Sequence, residues 1–117
     1  MAEENQEPIC ESSALLDGAD GVRFDVILRG ENVPAFAIRH DGVARAFVNR
    51  CGHIPVELDW MPGQFFDNEG LYLVCATHGA LYAPDSGRCA GGPCNGQGLE
   101  PLAIEERNRH IYLKVER

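Results

Sequence analysis

The sequence predicts an all-β domain, an antiparallel sandwich or small barrel, and three observations carry that expectation. Hydrophobic residues come in short alternating runs of strand length, not at helical spacing. Thirteen glycines and seven prolines punctuate the joins, which leaves no room for a long helix. Asp41-Gly42 stands between two of the runs, and Asp-Gly is the strongest short hairpin signal a sequence offers.

The elements follow in order. Residues 1–12 read as a mobile acidic tail and 13–117 as one domain, since 117 residues bury a single core. One helical turn fits within 11–20, ended by Gly18. "VRFDVILR" (22–29) and "PAFAIRH" (34–40) are strands rich in Val, Ile and Phe, and "VARAFVN" follows the Asp-Gly turn. "LYLV" (71–74) is a brief buried strand. "LAIEE" (102–106) and "HIYLKVE" (110–116) form a last hairpin around Arg107, Asn108 and Arg109. Two long irregular stretches, 50–70 and 75–101, interrupt this pattern, and loops of that length inside a compact domain usually carry function.

Charge and composition narrow the classes. A net charge of −8 repels a polyanion, so nucleic acid is not an expected partner, whereas a basic protein surface would be drawn in. No apolar run is long enough to span a bilayer, and the polar, acidic start lacks the features of a secretory signal, so a cytoplasmic protein without membrane insertion is expected. Five cysteines in such a setting suit metal binding or redox chemistry better than a disulfide framework.

Each long loop opens with a cysteine and a histidine. The first gives Cys51-x-His53 and the second Cys75-x-x-His78, with 21 residues between His53 and Cys75. Two thiolates and two imidazoles suit a structural zinc, although zinc ligands usually come as Cys-Cys and His-His pairs. They also suit a 2Fe–2S centre.

Cys51-Gly-His53 and Cys75-Ala-Thr-His78-Gly79, followed by Tyr82, Asp85, Gly87 and "GGP" at 91–93, resemble the two cluster-binding loops of the Rieske family and the loop behind them. The matching part runs from about residue 47 to 102. The resemblance implies an antiparallel β scaffold with a cluster-binding subdomain formed by two loops, and one 2Fe–2S cluster per chain. It assigns Cys51 and Cys75 to the buried iron and His53 and His78 to the outer one. Pro93 and Cys94, in "GGPC", would belong to the loop that covers the cluster.

Departures from the family pattern are informative. The respiratory members link their cluster loops by a disulfide, but Pro55 and Thr77 stand where those cysteines would be. Ala80 replaces the serine that donates a hydrogen bond to the cluster in high-potential members, while Tyr82 keeps the neighbouring phenol. Fewer donors to the sulfurs leave the reduced cluster less stabilised, which places the potential toward the low side of the Rieske range of about −150 to +300 mV.

The long spacing between the two motifs points to an insertion, "DWMPGQFFDNEG" (59–70). Three readings stand: Trp60 with Phe65 or Phe66 as a satellite core, an apolar docking rim, or a substrate pocket. Cys89 is read as a small core residue on a strand, with a disulfide or second metal site the alternative, and Cys10 as incidental. His40 and His110 lack ligand-spaced neighbours and read as ordinary strand residues. No catalytic motif or dinucleotide fingerprint is present. The expected function is that of a small ferredoxin-like electron carrier, not an enzyme and monomeric. Its expected partners are a flavin- or NAD-linked reductase and an oxygenase. The alternatives are a permanent small subunit of a larger oxidoreductase and a structural-zinc protein-binding domain.

Overall fold

The computed structural model describes residues 8–50, 57–59, 61, 63–67, 69–76, 79–92 and 98–114. Among the described residues there are ten strands: β1 (Cys10–Glu11), β2 (Val22–Leu28), β3 (Glu31–His40), β4 (Val43–Val48), β5 (Leu73–Val74), β6 (Leu81–Tyr82), β7 (Cys89–Gly91), β8 (Pro101–Leu102), β9 (Ile104–Arg107) and β10 (His110–Leu113). They form three sheets ordered β2-β3-β4-β8, β1-β10-β9 and β5-β6-β7, and every strand pair is antiparallel. The all-β antiparallel expectation holds, in the form of open sheets and not a closed barrel. A single 3-10 turn at Ser12–Ala14 answers to the expected helical turn. Among the described residues no helix is long and apolar enough to cross a membrane.

The central sheet owes its position to the alternation within β3 and β4. Phe36, Ile38 and Phe47 point to one face and meet Leu58, Phe65, Leu73, Cys75, Ala80 and Tyr82 in the main core. Ala37 and Ala46 point to the other face, where their small size lets Leu15 and Ile111 pack closely. Strand β3 is therefore buried on both sides, between the sheet that bears the second cysteine–histidine loop and the sheet that joins the chain ends.

Three two-residue hairpin turns set the registers. Asp41-Gly42 has both residues in the left-handed region (φ 54° and 81°), as the sequence predicts for a type I′ turn. Arg29-Gly30 (φ 50° and 79°) and Asn108-Arg109 (φ 51° and 64°) do the same at β2–β3 and β9–β10. The β2–β3 turn lacks the usual Asn or Asp at its first position, so the sequence leaves residues 31–33 outside the strand that they in fact begin.

Residues 9–12, read as the end of a mobile tail, are paired with the last hairpin. Cys10 and Glu11 pair with Ile111 and His110, the Ile9 amide donates to the Ile111 carbonyl, and the Ser12 amide donates to that of Arg109. Arg39 then locks this segment down. Its Nε donates to the Leu15 carbonyl (2.8 Å), Nη2 to the Ser12 carbonyl (3.2 Å), and both Nη atoms to the Glu106 carboxylate (2.8 and 3.1 Å).

Candidate metal centre

The second loop is a tight reversal between β5 and β6. Its cysteine, Cys75, is wholly buried in the main core. The Cys75 amide donates to the Ala80 carbonyl (2.9 Å) and its carbonyl accepts from the Gly79 amide (2.7 Å), which brings Gly79 and Ala80 back beside Cys75. His78 and Thr77 lie outside the described residues. So do Cys51, His53, Pro55, Trp60, Pro93 and Cys94. Ala80 and Tyr82 are fully buried in the same core as Cys75.

The backbone at 91–92 closes on this turn from another side. A Cβ on Gly92 (φ +78°) would sit 2.8 Å from the Gly79 carbonyl oxygen and 2.9 Å from the Ala80 Cα, so only glycine lets the two segments touch. Between β6 and β7 the register slips at Leu81/Tyr82, a bulge that re-aims the strand next to the site.

The first loop is held at its base by buried polar groups. At the end of β4, Asn49 is 1% exposed and Asp59 7%. The Leu58 amide donates to Asn49 Oδ1 (2.9 Å), Asn49 Nδ2 donates to Asp59 Oδ1 (3.1 Å), and the Gly63 amide donates to Asp59 Oδ2 (2.9 Å). Arg23 of β2 faces the same carboxylate, with Nε 3.5 Å from Asp59 Oδ2, and bonds Glu57 at 2.6 Å. The Leu58 carbonyl accepts from the Ala76 amide (2.9 Å), which ties the end of the first loop to the residue after Cys75. Neither Asn49 nor Asp59 belongs to a ligand motif; their signal in the sequence is a polar residue among apolar neighbours at each edge of the loop.

The insertion is part of the main core and not a satellite. Phe65 is fully buried and stacks on Phe36 with ring centroids 3.9 Å apart and planes 11° from parallel. Phe66 packs partly against the same core. Met61 of the insertion and Leu71 and Tyr72 just after it are exposed. Cys89 is disulfide-bonded, with its partner sulfur outside the described residues, so it is not the plain core thiol expected. Among the described residues no three His, Cys, Asp or Glu side chains form a further metal site.

A model of the Rieske [2Fe-2S] domain matches residues 5–110. The chain belongs to this family. One 2Fe–2S cluster per chain comes with the Rieske domain, and the buried thiol of Cys75 and the close glycine packing at Gly92 fit it.

Solved structures of known proteins share the fold. The ferredoxin of carbazole 1,9a-dioxygenase from Nocardioides aromaticivorans IC177 is similar at a TM-score of 0.73 and 20% identity, over 95% of this chain and 98% of that one. A chain from the complex of reduced oxygenase and oxidized ferredoxin in carbazole 1,9a-dioxygenase matches at 0.69 and 21%, over 94% of this chain and 96% of that one. The quaternary ammonium Rieske monooxygenase CntA matches at 0.72 and 25%, over 95% of this chain but 31% of its own. No curated protein matches the sequence.

The Rieske segment also has a one-sided charge. Between Arg50 and Arg88 the sequence has no Lys or Arg, while Glu57, Asp59, Asp67, Glu69 and Asp85 fall within it.

Proposed function

We propose that this protein is a Rieske-type ferredoxin that carries single electrons to or from an oxidoreductase partner. The observation that carries this reading is the Rieske family match together with a fold shared with a dioxygenase ferredoxin over 98% of that protein's length. The ligand set is Cys51 and Cys75 on one iron and His53 and His78 on the other. When bound, the cluster takes up and releases one electron.

The residues around it have separate tasks. Cys75 supplies a thiolate from a wholly buried position, which shields that side from water. Ala80 leaves a cluster-facing position without a hydroxyl, which holds the potential low. The acidic stretch between Arg50 and Arg88 favours a partner with a basic face, speeding encounter more than it tightens the complex. An oxygenase partner on one side and a flavin- or NAD-linked reductase on the other suit such a carrier. A cytoplasmic setting completes the reading.

The test is spectroscopic. The purified protein should be brown and, after dithionite, show a paramagnetic signal whose average g lies below the free-electron value. His78→Cys should keep the iron and lower the midpoint potential. A colourless protein with one zinc per chain would overturn the reading, and an unchanged potential in His78→Cys would remove His78 from the ligand set.

A further inference from the structure

We propose that Asn49 and Asp59 are positioning residues for the cluster, forming a buried clasp that fixes the geometry of the first ligand loop against the second. The inference rests on the ligand assignment just given, which puts Cys51 and His53 in the loop that the clasp closes.

The geometry is economical. Asn49 lies two residues before Cys51 and its side chain reaches across to the far end of the loop, accepting from the Leu58 amide at 2.9 Å. The same side chain donates to Asp59 at 3.1 Å, and Asp59 accepts from the Gly63 amide at 2.9 Å. One amide side chain therefore joins the chain entering the loop to the chain leaving it. The Leu58 carbonyl accepts from the Ala76 amide, so the closed base is also keyed to the residue beside Cys75. The Asn49 amide donates to the Pro34 carbonyl (2.8 Å) and that of Val48 to Glu100 (2.9 Å), which roots the clasp in the central sheet.

Two physical arguments set the role apart from simple stabilisation. A carboxylate with no exposed side-chain surface persists only where its partners are fixed, so Asp59 demands one geometry of its surroundings. The exposed surface of the protein offers cheaper places for an Asn and an Asp. Here they stand on either side of the loop that holds two of the four proposed ligands. Displacing a ligand-bearing loop changes the angles at the metal without removing any ligand.

The experiment is a swap. Asn49→Asp places a second carboxylate against Asp59 Oδ1, and Asp59→Asn turns an acceptor into a donor facing the Asn49 amide. Each alone should alter the g-anisotropy of the reduced cluster and speed its loss to a chelator by about 10- to 100-fold. Asn49→Asp combined with Asp59→Asn lets the bond between the two side chains re-form with donor and acceptor exchanged, while the Leu58 and Gly63 amides each still meet a side-chain oxygen, so the pair should recover the native spectrum and cluster lifetime. Arg39→Ala is the control for a purely structural loss: it should lower thermal stability and leave the g-values unchanged. Should either single variant not fold, Arg23→Gln relaxes the 3.5 Å restraint on Asp59 without orphaning a buried group and should still shift the spectrum. Native spectra and lifetimes in both single variants, or a double variant no better than the worse single, would overturn the clasp. Wild-type protein without a 2Fe–2S spectrum would instead overturn the function on which it rests.

Discussion

Replacing Phe65 by Ala tests whether the insertion at 59–70 is welded to the domain. The ring has no exposure and stacks on Phe36 at 3.9 Å. Truncating a buried Phe costs about 3–5 kcal/mol, including the cavity left behind. Losing a stacked partner, worth about 0.5–1.5 kcal/mol beyond area, keeps the cost away from the low end of that range, so about 4 kcal/mol is the expectation. With an unfolding entropy of about 2.1 cal/mol/K per residue, this lowers Tm by about 16 °C. The assay is thermal unfolding of the cluster-loaded protein, followed in parallel by far-ultraviolet dichroism and by the visible absorption. Phe66→Ala, at a half-buried ring on the edge of the same core, should cost about a third as much. A loss under about 4 °C for Phe65→Ala, or a larger loss for Phe66→Ala, would refute the placement of Phe65 as the buried anchor.

Gly92→Ala puts a methyl group 2.8 Å from the Gly79 carbonyl at a φ of +78°, and the left-handed backbone alone costs about 1–2 kcal/mol. The variant should bleach several times faster than wild type, whereas Gly91→Ala, whose added carbon meets only Leu81 at 3.7 Å, should not; equal rates would refute the close approach. Arg39→Ala removes three backbone contacts and a two-pronged carboxylate pair, and should cost about 2 kcal/mol, read as a Tm lower by about 8 °C. The Arg39 guanidinium holds the Glu106 carboxyl below the usual carboxylate range. The stability from this pair is complete above the unfolded carboxylate value of about 4.3 and is lost as pH falls through the lower folded value. Glu106→Gln should flatten that acid arm, and an unaltered pH dependence of Tm would refute it.

Local chemistry made much of this molecule legible and distance hid the rest. The two cysteine–histidine motifs could be read because each is compressed into a few adjacent residues. The Asp41-Gly42 hairpin was legible because its residue types are those a left-handed turn needs. Arg29-Gly30 adopts the same turn with a less suited first residue, held by pairing along the whole of β2 and β3. Phe65 meets Phe36 through the tertiary fold, so its spacing alone could not distinguish a satellite cluster from the main core. Asn49 and Asp59 carry no motif, and their partnership exists only once the chain from 50 to 58 has looped back. The brief strand β1 lacks any alternation long enough to register, and only its pairing with β10 defines it.

That pairing of β1 with β10 has a consequence for synthesis. The first strand leaves the ribosome long before its partner at His110–Leu113 exists, and it stays unpaired until the final hairpin emerges. Both cysteine–histidine loops and the central β2–β3–β4 meander are complete by then. The order of manufacture therefore puts the cluster site first and the seam that joins the two ends of the chain last. A chain truncated before residue 110 would keep both cysteine–histidine motifs in its sequence while β1 has no β10 to pair with.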